Sequence, residues 1–490
     1  MVFSNLLFVF LFLVLSLFAY LCGPTTRAKN IILLASSLIF YTWGGPLLVL
    51  LLCGVTLLCY VGALRIQAAQ AKGARKRRLA VTVVLCLLPL IFFKYTVFLL
   101  KNVQALTGFP ETLPSILLPI GISFYTFQLI SYVVDVYRGE VEAQRTYWKL
   151  LLYVSLFHQC IAGPIVRYAD VCREIDNRTV SLQEISRGMT RFAVGLAKKA
   201  ILANYCGLLA DTLLPYSAET LSGQSALSLI LGAICFTLHI YLDFSAYSDM
   251  AIGMGLMVGF HYRENFFYPY VAVSITDFWR RWHMSLSFFF RDYVYIPLGG
   301  NRCSVPRHIL NLSVVWLLTG FWHGADWNFI LWGLYYLVFL LLEKFVFRLG
   351  KDDRPRGIVR ILRHVYVLPV ILIGWMLFRF NDLSQFWIVL KGFVCANGNS
   401  FTDLTAGLAF RNNLFFLLVA CVACTPIIPY LHHRLTAWIN QSQARVKEGE
   451  TSLAGLVYPI LCGVLPAVCI LLSLLSLVGD SYNPFLYFNF

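Results

Sequence analysis

The chain has 490 residues, of which 59% are hydrophobic and 13% charged. Soluble proteins carry about 25% charged residues, so a soluble enzyme, a disordered chain and a coiled coil are all excluded. The net charge of +15 reads as basic cytoplasmic loops rather than as affinity for nucleic acid.

Apolar runs near 20 residues also rule out a membrane β-barrel, whose strands are about 10 residues long and alternate. An all-α polytopic membrane protein remains. In chain order the apolar stretches are 4–22, 30–42, 46–64, 79–100, 115–137, 147–160, 183–210, 224–242, 309–321, 327–347, 364–380, 411–430 and 455–478. They predict about 11–13 transmembrane helices. The short stretches 30–42 and 309–321 are expected to be tilted, shielded by protein or incomplete. The opening Met1-Val2-Phe3-Ser4 has no basic n-region and reads as a first transmembrane helix rather than a signal peptide.

The run from Arg65 to Arg78 is the strongest inside signal. It places segment 138–149 inside as well, and the six Lys and Arg residues of 348–363 put that segment inside too. The N-terminus, segment 211–223 and the tail 482–490 are expected outside. Most of the 14 cysteines lie in apolar runs and read as small hydrophobes, with no disulfide framework and no metal site. With no internal repeat or low-complexity linker, residues 1–490 read as one membrane domain.

The pattern breaks over 239–333, the candidate catalytic core. His239, Asp243, Asp249, Glu264, Asp277, Arg280, Arg281, His283, Arg291, Asp292, His323 and Asp326 all fall there. Each charge at membrane depth costs about 2.5–3.5 kcal/mol. The group is therefore expected to face itself or a water-filled cavity. Pro297-Leu-Gly-Gly300 is tolerated at that depth only in re-entrant segments buried in protein or lining a cavity.

His323 reads either as a hydrogen-bonded core histidine or as a general base walled from lipid by Trp322 and Trp327. His283 fits either an interfacial Arg/Trp belt or an active site. For Arg280, Arg281, Arg291 and Asp292 the choice is between a structural ion-pair network and an electropositive entrance for a phosphate-bearing substrate. The Asp292 carboxylate leans to the first and at least one arginine to the second. Trp282, Ser285 and Asn328 complete the candidate binding residues. Gly253-Met-Gly255 suits close helix packing. Phosphate-loop, GxSxG and HExxH patterns are absent.

The run Asp277-Phe-Trp-Arg-Arg-Trp-His283, the segment Arg291-Asp-Tyr-Val-Tyr-Ile-Pro-Leu-Gly-Gly-Asn-Arg302 and Thr319-Gly-Phe-Trp-His323-Gly resemble the membrane-bound O-acyltransferases, in their bacterial alginate O-acetylation branch. Leu118-Pro-Ile-Gly-Ile-Ser-Phe-Tyr-Thr-Phe-Gln128, Asp135-Val-Tyr-Arg-Gly139, Ile161-Ala-Gly-Pro-Ile-Val-Arg167 and Ile240–Gly253 extend the likeness along most of the chain. One departure is His158, where the family pattern has proline.

The resemblance implies a ring of tilted helices around a central funnel, with His323 as the catalytic histidine and His283 as a second active-site position. It implies no bound cofactor and a cytoplasmic acyl thioester donor, acetyl-CoA above all. It further implies a bacterial inner-membrane location and an extracytoplasmic SGNH-hydrolase-like partner that passes the group to a polysaccharide. In this picture His323 is the general base, and His283 either hydrogen-bonds the donor carbonyl or orients the acceptor. Two rivals are D-alanyl transfer from a carrier-protein thioester to teichoic acid, and a transporter or channel using a His/Asp proton relay.

Overall fold

A computed structural model describes residues 3–160, 163–350, 355–443 and 453–479, and among them it contains helices and no strands. The tail 482–490, Lys351, Arg354, Ile161 and Ala162 lie outside the described residues. The first half holds α1 (Leu13–Cys22), α2 (Thr26–Thr42), α3 (Pro46–Gln67), α4 (Lys72–Thr107), α5 (Ile122–Arg138), α6 (Tyr147–Ser155), α7 (Phe157–Cys160) and α8 (Tyr168–Asp176). Next come α9 (Leu182–Ala197), α10 (Asn204–Leu213), α11 (Ala218–Ser222), the long α12 (Ala226–Met257), α13 (Ile275–Arg281) and α14 (Met284–Phe290). The chain continues with α15 (Val305–His323), α16 (Trp327–Leu341), α17 (Gly357–Arg379), α18 (Leu383–Gly392), α19 (Leu404–Ala423), α20 (Ile427–Gln443) and α21 (Leu453–Gly479).

Eight helical stretches among the described residues are long and apolar enough to cross a membrane. They are Pro46–Gln67, Lys72–Thr107, Leu182–Leu213, Ala226–Met257, Trp327–Val346, Gly357–Arg379, Leu404–Ala423 and Cys462–Gly479. Other predicted stretches are shorter pieces. The 147–160 run breaks at Leu156 into α6, of 9 residues, and the single turn α7. At 1.5 Å per residue α6 covers about 13 Å of the roughly 30 Å hydrocarbon core. The 115–137 run becomes helical only at Ile122; Pro114 and Pro119 keep its first residues irregular despite their apolar side chains.

Helix starts follow local chemistry. Ser181 and Glu184 form a reciprocal capping box at α9, and Ser274 and Asp326 accept from the first-turn amides of α13 and α16. The protein is organised around α12, buried along nearly its whole length. α9 crosses it at Gly253, where a β-carbon would stand 2.7 Å from the Gly188 carbonyl oxygen. That close approach is the packing role expected of this glycine. Apolar side chains gather into two clusters. One is built mainly from α1–α8 and the C-terminal half of α12. The other uses α10, the N-terminal part of α12, and α13 with α15–α19.

Two of the basic segments meet on one face. Arg75 donates to the Tyr137 carbonyl at 2.8 Å, Tyr60 to that of Arg145 at 2.7 Å, and Arg138 to that of Asp292 at 2.7 Å. Segment 211–223, which lacks Lys and Arg, packs instead against the far end of α17, with Arg379 paired to Asp211 at 2.8 Å. All fourteen cysteines are free thiols. Cys421 and Cys424 have the Cys-x-x-Cys spacing at the end of α19, one exposed and the other buried. Among the described residues no group of three or more His, Cys, Asp and Glu side chains could hold a metal.

Candidate active site

A cavity of about 210 Å³ opens between α13, α14 and α15. His283 and His323 both line it, together with Arg280, Arg291, Trp279 and Tyr295. It lies at the seam of the two apolar clusters, so each wall is held by a separate core.

His323 is the last residue of α15. The end of a helix leaves its last carbonyls without intrahelical partners, and here α4 supplies them. The Tyr95 hydroxyl donates to the Phe321 carbonyl at 2.6 Å. The Lys94 ammonium donates to the carbonyls of Trp322 at 2.5 Å and His323 at 3.3 Å. A cation at a helix C-terminus also opposes the negative end of the dipole. The ring of His323 packs on Trp322, Trp332 and Phe378, with centroids 5.0, 4.9 and 5.4 Å away. Gly324 then lets Phe329 close over the turn, since a β-carbon there would stand 2.1 Å from that ring.

His283 sits between α13 and α14 with φ 42° and ψ 55°. That left-handed conformation costs a non-glycine residue about 1–3 kcal/mol and persists where its surroundings over-determine it. The ring is buried against Phe244 and Trp322, with centroids 4.8 and 5.5 Å away. Its Nδ1 faces the Asn265 amide oxygen at 3.1 Å. Its Nε2 is buried with no hydrogen-bond partner among the described residues. Trp322 therefore touches both histidine rings.

Of the other candidates, Arg280 and Arg291 lie on the cavity wall. Arg281 turns away to pair with Asp277 at 2.9 Å. Trp282 is buried in the second cluster, 4.7 Å from Trp375 between centroids. Ser285 accepts from the Ile165 amide at 2.9 Å and donates to Asn265 at 2.9 Å. Asp292 ties Arg167 at 2.5 Å and Arg291 at 2.6 Å. Asn328 fastens the start of α16 to the Phe378 carbonyl at 3.2 Å.

Two residues that contact the histidines were not singled out from the sequence. Lys94 stood in an otherwise apolar run, and a lone lysine there already signals a partner, given its cost at membrane depth. Asn265 carried no signal of its own beside Glu264.

The expectation that the charges of 239–333 face one shared cavity holds only in part. Asp243 pairs with Lys199 at 2.7 Å, and both side chains are fully buried. Asp249 pairs with Lys198 at 2.6 Å and Arg191 at 3.0 Å. These basic partners come from α9 and from the π-helical turn Lys198–Ala203 that joins it to α10, outside the core segment.

The profile of the membrane-bound O-acyltransferase family matches residues 142–380. The chain is 39% identical over 512 residues to a probable alginate O-acetylase AlgI of Azotobacter vinelandii, covering 100% of each chain. It is 30% identical over 530 residues to a peptidoglycan O-acetyltransferase of Helicobacter pylori, covering 100% of this chain and 98% of that protein. To a teichoic acid D-alanyltransferase of Bacillus subtilis it is 27% identical over 239 residues, 46% of this chain and 59% of that one. A polytopic helical protein with this full-length likeness belongs to the membrane-bound O-acyltransferase family and is an O-acyltransferase.

Proposed function

We propose that this chain, as one membrane domain, moves an acetyl group from acetyl-CoA on the cytoplasmic face toward hydroxyls of an extracytoplasmic polysaccharide. An SGNH-hydrolase-like partner completes the transfer, and the setting is a bacterial inner membrane. The observation that carries the reading is one cavity lined by His283 and His323 together with Arg280 and Arg291.

A nucleotide-borne thioester has its charge at one end and its reactive carbonyl on a long thin arm. Leu312 and His323 both line the cavity, and the eleven-residue step from one to the other along α15 spans about 16 Å. That separation suits phosphates near the arginines and a carbonyl near the histidines.

In the transfer step His323 takes the proton of the attacking hydroxyl. The hydroxyl oxygen bonds to the acyl carbon, the C–S bond breaks, and the departing thiolate takes up the proton. Trp279, Trp316 and Trp322 keep water from the thioester. Alginate-type and peptidoglycan acceptors are supported by the two relatives that match over their whole length. Two D-alanyltransferase relatives match over 46% and 63% of this chain.

The test supplies radiolabelled acetyl-CoA to one face of sealed vesicles and counts label in polymer on the other. A His323→Ala variant that folds normally is expected to lose about 10²–10⁴-fold in rate. Wild-type transfer by that variant would overturn the assignment. Transfer that requires a carrier-protein thioester in place of acetyl-CoA would reverse the choice of donor.

A further inference from the structure

Asn265 lies in the loop after α12 with its side chain fully buried. Its amide oxygen faces three groups: the backbone N–H of Ser285 at 3.3 Å, the Ser285 hydroxyl at 2.9 Å and Nδ1 of His283 at 3.1 Å. Its amide nitrogen faces the Gly163 carbonyl at 3.4 Å and the Ser248 hydroxyl at 3.1 Å. Two of these neighbours have no choice of role. A backbone N–H only donates and a carbonyl only accepts. Turning the amide over would set NH₂ against N–H at Ser285 and oxygen against oxygen at Gly163. The oxygen of Asn265 is therefore the atom beside His283, and it needs a donor there.

The Ser285 hydroxyl is also 3.4 Å from Nδ1, but its single hydrogen is committed to Asn265 at 2.9 Å while its oxygen accepts from the Ile165 amide. So Nδ1 carries the hydrogen, and a neutral imidazole then has its lone pair on Nε2. That nitrogen is buried without a hydrogen-bond partner among the described residues, on a ring that lines the cavity.

We propose that Asn265 is a positioning residue that locks His283 in the Nδ1–H tautomer, so that Nε2 accepts a hydrogen bond from a second hydroxyl of the acceptor, beside the one whose proton His323 takes. The inference rests on the acyl-transfer reading given above. It separates the two roles that the sequence left open for His283. A neutral ring with its lone pair at Nε2 cannot donate to the donor carbonyl, and it orients the acceptor instead. The Met284 amide, donating to the Asn265 backbone carbonyl at 2.9 Å, fastens the same loop to the turn that carries His283.

The test compares pH profiles of kcat in full-length protein reconstituted in vesicles. Asn265→Asp keeps an oxygen at Nδ1 and adds a negative charge, which favours the imidazolium form. Protonated His283 cannot accept, so the acid limb of the profile is expected to move up by about one pH unit, with high-pH kcat retained. Asn265→Leu frees the tautomer, and kcat is expected to fall about 10–100-fold, the range seen when an orienting partner is lost, with the KM for acetyl-CoA unchanged. An Asn265→Asp profile that overlays the wild type, or wild-type kcat in Asn265→Leu, overturns the proposal.

If both variants fail to fold, ¹⁵N NMR of the wild-type ring decides. The signal is assigned by its loss in His283→Asn. A hydrogen on Nδ1 supports the proposal and one on Nε2 sinks it. Full activity in His283→Ala would instead overturn the reading of the site itself. An inactive His283→Ala beside a fully active Asn265→Leu overturns the positioning role alone.

Discussion

The placement of His323 depends on how closely α15 and α16 cross, and Gly320→Ala tests that dependence. A β-carbon on Gly320 would stand 2.4 Å from the Phe329 carbonyl oxygen, whereas ordinary contact begins at 3.4 Å. The obstacle is helix backbone, so no side chain can swing aside and the two helices must part by about 1 Å. On the other helix Gly333 meets the Trp316 carbonyl oxygen at 2.5 Å in the same sense. Overpacking of this kind costs about 1–3 kcal/mol, and a 1 Å misplacement of a reacting group costs about 10² in rate. Gly320→Ala is therefore expected to fold with a lowered Tm and a kcat about 100-fold below wild type. The KM for acetyl-CoA should hold, because Arg280 and Arg291 precede α15 and lie apart from the crossing. The assay is label transfer in vesicles beside a thermal melt of the purified protein. Gly54→Ala is the control: nothing lies within 4 Å of a β-carbon there, and helix propensity alone favours alanine. Unchanged kcat and Tm in Gly320→Ala would refute the argument.

Arg291→Ala should raise the KM for acetyl-CoA about tenfold, equivalent to about 1.4 kcal/mol, with kcat unchanged; a lowered kcat at constant KM would point to chemistry rather than binding. Lys199→Met leaves Asp243 charged and buried, and removing one partner of such a pair costs about 3–5 kcal/mol; a melting curve superimposable on wild type would contradict it. His261 donates to Glu174 at 2.8 Å and to Glu184 at 3.2 Å. Burial would lower the His261 pKa, but the two carboxylates outweigh it and raise it. The stability it adds is full below about pH 6.5, the ordinary histidine value, and fades as pH rises through the raised native value. His261→Gln should flatten that slope, by less than about 1 kcal/mol because the ring is half exposed; an unchanged slope would discard this pair as a pH-dependent contributor.

How much was legible in the sequence follows from how far each signal reaches. Helix class and most span positions rest on composition within about 20 residues, and they stand. The failures at 147–160 and 115–121 share one cause: apolar content marks what can be buried, not what can be helical. Here a break at Leu156 and the prolines 114 and 119 decided the backbone. His283, His323, Arg280 and Arg291 were visible because their motifs are local. Lys94 and Asn265 act on carbonyls and a ring that lie far along the chain, 229 residues in one case and 18 in the other. No spacing rule reaches such contacts. Ser285, Asp292 and Asn328 show the converse, polar residues within the motif whose partners are structural.

The buried charge divides by partner, and the division has a physical basis. Asp243 and Asp249 are matched by Lys199, Lys198 and Arg191, so the field of that network closes on itself between α9, α10 and α12. Arg291 also has a carboxylate neighbour in Asp292, but that carboxylate is shared with Arg167. Arg280 and Arg291 both line the cavity, where guanidinium groups can meet an anionic substrate group. On the donor proposed above, the phosphates would meet these arginines and the uncharged acyl arm would reach the histidines. A thioester whose charge and reactive carbon are far apart would fit that arrangement, and Arg291→Ala tests its charged end.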